Sequence, residues 1–280
     1  MVKKDTAVLL EEAKKEAEFF DKEYADMDKE YQLENYLIPQ KLIYQVTNPK
    51  PNSLIEREYA MSLLGNLEDK KLLDYGSGDG WNTICFAKAK AKVWAIDVSE
   101  KGIELTKKKA KANNVSELVI AEVQDCYKTK FPNNMFDVIY GGGILHHLDI
   151  AAVGEELSRI LHPDGVAVFC EPIRETKIMD VIKKMVLYLL NKKPSEITED
   201  ETPLREERIA LLKPYFKVVK YRYFEVLSSV NLLISSEKLQ MFLLWLDYLL
   251  MKLIPGFKKL GRGIVIELRK PVKNSSMEGE

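Results

Sequence analysis

Between residues 69 and 172 the chain alternates short apolar runs with longer stretches whose apolar positions recur every three to four residues. Short apolar runs bounded by turn residues mark buried strands, and the longer recurrence marks amphipathic helices. The pattern predicts strands at Lys71–Tyr75, Lys92–Ile96, Leu118–Glu122, Phe136–Tyr140 and Val166–Cys170, with helices at Trp81–Ala89, Glu100–Asn113 and Ala151–Leu161 between them. The last helix is expected to stop at His162-Pro163-Asp164-Gly165, because both Pro and Gly enforce a turn there. Two further strand-like runs, Phe216–Phe224 and Gly263–Arg269, lie beyond. Strand–helix alternation of this kind builds a doubly wound, mostly parallel α/β sheet, whose ligands bind outside the carboxyl ends of the strands. The expected fold class is therefore α/β, a seven-stranded sheet with a helical N-terminal cap and helical insertions.

The outlying segments set the expected domain plan. Residues 1–66 read as a helical cap rich in Glu, Lys and Tyr, broken at Asn48-Pro49-Lys50-Pro51. Residues 67–172 form the α/β core. Residues 173–214 form a helical insertion or lid that ends in the acidic loop SEITEDETP. Residues 215–270 supply the last two strands around an apolar helical insertion at about 226–260, and 271–280 form a disordered tail. In Lys177–Asn191, Ile178, Val181, Ile182, Met185 and Leu189 fall on one helical stripe; in Glu237–Ile254, Leu239, Phe242, Leu243, Leu246, Leu250 and Leu253 do the same. Three uses for these faces stay open: a lid over a greasy ligand, a patch resting on a membrane, or a homodimer interface.

Charge and composition narrow the partners. With 42 basic and 43 acidic residues the net charge is -1, without the clustered basic excess of a nucleic-acid binder. Lys107, Lys108, Lys109 and Lys111, at helical spacing beside Leu105, read as a solvated helix face. Cys85, Cys126 and Cys170 are far apart and form no CxxC pair, so no disulfide framework and no metal site is expected, and reduced thiols point to the cytoplasm. No apolar run reaches the roughly 18 residues that suggest a membrane span. Val226–Phe257 comes nearest but contains Glu237, Lys238, Asp247 and Lys252, which leaves peripheral membrane contact open. The first twenty residues carry charges throughout and lack the apolar stretch of a signal peptide.

Candidate chemistry lies at the strand tips. The first strand runs into Asp74-Tyr75-Gly76-Ser77-Gly78-Asp79-Gly80 and a helix. Glycines there let the backbone turn sharply and approach a ligand without a Cβ in the way. A dinucleotide loop reads G-x-G-x-x-G. Here the third glycine comes one residue early and Trp81 follows it. Asp74 would repel a pyrophosphate and attract a cationic ligand. Asp97 ends the second strand, where an acid can accept hydrogen bonds from both ribose hydroxyls. Ser99 is better placed than Asp97 to cap the following helix. Asp125-Cys126 follows the third strand, where a carboxylate beside an exposed amide can read an adenine edge.

Taken together, LLDYGSGDG (72–80), VWAIDVS (93–99), QDCYKTKFPNNMFDVIY (124–140), GGGILHHL (141–148) and LHPDGVAVFCEP (161–172) resemble the class I S-adenosylmethionine (SAM)-dependent methyltransferase family over about 100 contiguous residues. The resemblance implies that family's Rossmann-like seven-stranded fold, SAM as cofactor and a small-molecule acceptor. It also implies residue roles. Asp74, Gly76, Ser77, Gly78 and Gly80 would hold the methionine moiety, Asp97 with Val98 the ribose, and Asp125 with Cys126 the adenine. Gly141 and Gly142, in the stretch running to Ile144, would lie near the sulfonium. Tyr24, Tyr31, Tyr36 and Tyr44 are candidates for the cofactor entrance.

The acceptor is less legible. The family's Asn/Asp-Pro-Pro-aromatic signature of nitrogen methylation is absent after the fourth strand, so oxygen or carbon of a lipophilic or lipid-linked metabolite is expected. Removing a hydroxyl proton calls for a base near neutral pKa. His146 and His147 are candidates; on a helix they would point about 100° apart, so that only one faces the substrate. Glu171, at the end of the fifth strand, is the third. The alternatives are a SAM or S-adenosylhomocysteine-binding module without turnover and a dinucleotide-dependent oxidoreductase.

Overall fold

The computed structural model describes residues 5–173, 204–228, 236–254 and 256–272. One seven-stranded sheet organises them: β1 (Lys71–Tyr75), β2 (Lys92–Asp97), β3 (Val119–Val123), β4 (Phe136–Gly142), β5 (Leu161–Pro172), β6 (Phe216–Phe224) and β7 (Gly263–Pro271). Their spatial order is β3-β2-β1-β4-β5-β7-β6. All neighbours pair in parallel except β7, which runs antiparallel to both β5 and β6. The order reverses between β1 and β4, and that switch point is where a doubly wound sheet opens a crevice.

Strand periodicity divides the core. On β1, Leu73 and Tyr75 face one side and Leu72 the other, as a period of two requires. Helices α1 (Thr6–Glu30), α2 (Gln40–Thr47), α3 (Glu56–Leu64), α4 (Trp81–Lys88), α5 (Glu100–Ala112) and α6 (Ile150–Ile160) precede the last two strands, and α7 (Glu237–Leu253) joins β6 to β7. Residues of α2, α3 and α4 pack in the Leu72 layer, and those of α6 and the turns around Leu204–Leu212 pack in the Leu73 layer. Helix α1 lies along α5. Asp21 accepts from the Ser99 hydroxyl at 2.6 Å and the Lys101 amide at 3.0 Å, so α1 is tied to the start of α5.

Within the described residues the expected strands and helices are present, with departures. The expected turn at 162–165 occurs inside β5 rather than before it. Phe136 pairs with Leu161 and Val138 with Val166, so the intervening residues loop out of the ladder. Lys109 is not part of a solvated face: it is fully buried, because it follows Leu105 by four residues and shares its inward stripe, while Lys107, Lys108 and Lys111 are exposed. Its charge is met by Asp79 and by the ring of Trp81, 4.6 Å from the ammonium. Pro271 is not tail: it closes the β7 ladder opposite Phe216, and the Val272 amide donates to Tyr215 at 2.7 Å. The helix expected at Lys177–Asn191 and the tail from 273 onward lie outside the described residues. The three cysteines carry free thiols. Among the described residues no helix is long and apolar enough to cross a membrane.

Candidate active site

A cleft of about 340 Å³ opens at the switch point, beyond the ends of β1, β2, β3 and β4. Its floor is the glycine loop. Gly78 adopts φ +54°, and a Cβ there would come within 2.7 Å of the Tyr24 hydroxyl. Gly80 is left-handed at φ +84° and caps α4; its Cβ would meet the Thr106 backbone at 2.9 Å. Both positions exclude side chains, which is why the loop reads as glycine at these two sites. Gly78→Val should therefore lift α1 away from the loop and weaken SAM binding; calorimetry on the purified variant reads this directly, with its melting temperature recorded alongside.

Asp97 sets the loop's shape. One carboxylate oxygen accepts from the Gly78 amide at 2.8 Å and the other from the Ser99 amide at 2.9 Å. Burial raises its pKa, and the amide donors oppose that rise. Ser99 takes the capping duty expected of it, accepting from the Gly102 amide. Asp125 lines the cleft and accepts from the Tyr127 amide at 2.7 Å. Cys126 is buried beside it, its carbonyl taking the hydroxyl of Tyr75.

The cleft also gathers Gly76, Ser77, Gly78, Val98 and Gly142 from the expected set. Asp74 is elsewhere. It is 1% exposed, lies behind the loop, and accepts from the Thr83 hydroxyl at 2.6 Å. Desolvation pushes its pKa up to about 7. Its side chain steadies the start of α4 from beneath and is not among the residues that line the cleft. Gly80 and Gly141 are likewise outside the lining; a Cβ on Gly141 would strike the Phe169 ring at 2.6 Å.

Glu171 does not face the cleft. It is 1% exposed, and it accepts from the amides of Ile144 (3.0 Å) and Leu145 (2.9 Å) with one oxygen. Its other oxygen takes the His146 amide at 3.3 Å and the His146 Nδ1 at 2.9 Å. Four groups of one short turn thus converge on this carboxylate, which fixes the loop. The histidine pair also departs from the helical expectation. Leu145–His147 form a 3-10 turn and the two rings lie against each other, centroids 4.0 Å apart. His146 turns inward to Glu171. His147 lines the cleft, with Nδ1 3.1 Å from Glu16 of α1 and its ring edge-on to Phe20.

Helix α1 is the wall that sequence reading missed. Glu12, Ala13, Glu16, Phe20 and Tyr24 all line the cleft. Of the four candidate tyrosines, Tyr24 alone is among these residues; Tyr31 and Tyr36 pack on each other, and Tyr44 is exposed. Burial together with Asp97 and Asp79 raises the Tyr24 pKa. Asp79 and Asn82 are further unforeseen lining residues, Asn82 being held by Arg57 at 2.5 Å. The sequence signal for the α1 wall is Phe19-Phe20, an apolar pair within the largely charged stretch that follows Leu10.

Five carboxylic residues line the cleft, Glu12, Glu16, Asp79, Asp97 and Asp125, and the described lining contains no Lys or Arg. Such a wall focuses potential that attracts cations and disfavours pyrophosphate. The Ser77 hydroxyl is buried there without a hydrogen-bond partner, an orphan that a polar ligand would satisfy. Glycine backbone, acids in its loop and beyond β2 and β3, and an unpaired hydroxyl fit a sulfonium-bearing adenosine derivative.

Sheet order, cleft and lining together define a class I SAM-dependent methyltransferase domain, with SAM as its cofactor. Residues 73–169 match the family described as "Methyltransferase domain". The chain is 28% identical over 167 residues to a ubiquinone biosynthesis O-methyltransferase of Yersinia enterocolitica, a match covering 54% of this chain and 69% of that protein. It is 34% identical over 97 residues to the 27-O-demethylrifamycin SV methyltransferase of Amycolatopsis mediterranei, covering 34% and 36%. Among solved structures, geranyl diphosphate C-methyltransferase from Streptomyces coelicolor superposes with TM-score 0.54 at 13% identity, over 80% of this chain and 84% of that one. The 4+2 cyclase SpnF superposes with TM-score 0.53 at 16% identity, over 78% and 82%. At these identities the structural likenesses establish the fold, and chemistry must be argued from the site.

Proposed function

We propose that this enzyme acts in the cytoplasm, transferring the methyl group of SAM to an oxygen or carbon of a small lipophilic or lipid-linked acceptor, with His147 as the general base. The observation that carries this reading is the placement of His147 on the cleft wall with its Nδ1 against Glu16. SAM supplies an electrophilic methyl on a sulfonium. The chain's own task is to align the acceptor in line with it, which can be worth roughly 7–11 kcal/mol of barrier, and to take up the acceptor's proton.

The residues divide that work. Asp97 holds the glycine loop and would offer its remaining acceptor capacity to ribose, while Asp125 and Cys126 would hold the adenine. The cleft acids balance the cofactor's positive charge. A proton on His147 Nδ1, shared with Glu16, leaves Nε2 as the ring's basic atom, and the carboxylate stabilises the imidazolium formed when Nε2 takes the acceptor proton. His146, engaged by Glu171, holds the turn that presents His147. Phe20, Trp81, Ile144 and Leu148 give the cleft apolar walls suited to a greasy acceptor. The names of the two relatives, one an O-methyltransferase, support oxygen; the fold neighbour named a C-methyltransferase keeps carbon open.

The test uses methyl-labelled SAM against a panel of hydroxylated and prenylated acceptors. His147→Ala should lower kcat by about 10²-fold or more, the usual contribution of a positioned base. Its SAM affinity should change far less than kcat. Retention of full turnover in this variant would refute the assignment.

A further inference from the structure

We propose that α7 is a membrane anchor that lays its outer face on an anionic bilayer and so opens the cleft toward lipid. The purpose of this anchor rests on the lipophilic-acceptor reading; the docking itself does not.

Helix α7 is apolar on the wrong side for a core helix. Of its 17 residues only Leu244 and Asp247 are buried. Leu239, Met241, Phe242, Trp245 and Leu253 are 45–65% exposed, and Ile254, just past the helix, is 46% exposed. The Phe242 and Trp245 rings lie 6.0 Å apart on this outer surface. Scattered exposed apolar residues need no explanation, but several on one side of a helix, a tryptophan among them and Lys238 and Lys252 beside it, mark a contact surface.

The inner side is pinned by chemistry that keeps this face outward. Asp247 accepts from the amides of Val226 (3.1 Å), Leu227 (2.6 Å) and Ser228 (2.8 Å) and from the Ser228 hydroxyl (2.6 Å). A helix that rotated to bury Trp245 would leave those donors and this carboxylate unpaired, so the orientation is fixed.

Charge identifies the occupant as an anionic bilayer. Lys238 and Lys252 are exposed on the helix. The acids nearby are occupied or favourably placed. Asp247 is bonded as above, Glu206 pairs with Lys258 at 3.3 Å, and Glu237 sits in the first turn of α7, where the helix dipole favours an acid. A second cleft of about 280 Å³ lies between α7 and the end of β6. Arg222, Lys252 and Lys258 are on its walls, with the Arg222 guanidinium 4.6–5.4 Å from the rings of Tyr59, Phe224 and Tyr248. Glu225 shares that cleft, and burial shifts it toward its neutral form. Cations and tyrosines beneath an apolar helix match lipid headgroups beneath acyl chains.

Topology gives the anchor its use. Phe224 at the end of β6 pairs with Gly263, which also pairs with Pro172 at the end of β5. Helix α7 therefore stands at the carboxyl edge of the sheet, the edge that carries the cleft. From β4 to β6 is three strand spacings, roughly 14 Å.

The full chain should be sedimented with vesicles of phosphatidylcholine alone and of phosphatidylcholine mixed with phosphatidylglycerol. Binding to the mixed vesicles, weakening as salt rises, is the expected result. It should come with a blue shift in fluorescence, since Trp245 is exposed and Trp81 and Trp94 are half-buried. Trp245→Glu combined with Phe242→Glu should abolish pelleting. Lys238→Glu and Lys252→Glu should each weaken it by at least about fivefold, the equivalent of roughly 1 kcal/mol per basic residue at an anionic surface. Calorimetry with SAM on every variant confirms folding and keeps the methyl-transfer reading separately testable. A wild-type protein left in the supernatant with both vesicles overturns the anchor without touching that reading. So does a dimer in sedimentation velocity that Trp245→Glu splits, for the face would then be covered by a second copy.

Discussion

Asp97→Ala is expected to weaken SAM binding by roughly a hundredfold, the largest cofactor effect of any single side chain in the cleft. The carboxylate bonds the Gly78 and Ser99 amides at 2.8 and 2.9 Å. Hydrogen bonds to a charged group contribute about 1.5–3 kcal/mol each, and a factor of ten is about 1.4 kcal/mol. The variant loses the loop's anchor as well as the proposed ribose acceptor, so its effect exceeds that of one contact. Asp97→Asn presents an amide NH2 toward one of two N–H donors and should recover only part of the affinity. Calorimetric titration with SAM and with S-adenosylhomocysteine measures both variants, and an unchanged dissociation constant would remove Asp97 from the site.

The second large effect is on stability. Glu171→Ala leaves the amides of Ile144, Leu145 and His146 and the His146 ring without their acceptor in a site that is 1% exposed. Unsatisfied buried donors cost about 1–3 kcal/mol apiece, so a loss of roughly 3 kcal/mol or more is expected even after partial relaxation. For a chain of this size that lowers the melting temperature by about 6 °C or more. Were Glu171 instead a base, Glu171→Gln would lower turnover steeply and leave the melting curve in place. Scanning calorimetry on both variants separates the two roles.

The contrast between Asp97 and Glu171 shows what sequence can and cannot convey about such a site. Strand tips were legible because β-strands of five to seven residues alternate with helices, and acids that recur after three consecutive strands must share one edge of a parallel sheet. That logic located Asp97, Asp125 and the glycine loop. It does not say which way a side chain turns. Asp74 and Glu171 also end strands, yet the pleat sends both into the protein, the first to Thr83 and the second to the turn at 144–146. The α1 wall was illegible for a different reason. Its contacts with the loop join residues far apart in the chain, and a helix rich in Glu and Lys carries no periodic mark of what it covers. Lys109 was legible in principle: its spacing from Leu105 states its burial more reliably than its charge states its exposure.

The two histidines take their carboxylates from different parts of the architecture: His146 from the central sheet, His147 from the outer helix that Asp21 latches to α5. One partner belongs to β5, 25 residues from its histidine, and the other to α1, 131 residues away in the chain. Loss of the α1 contact would therefore remove the carboxylate beside His147, the proposed base, and leave the Glu171–His146 pair in place.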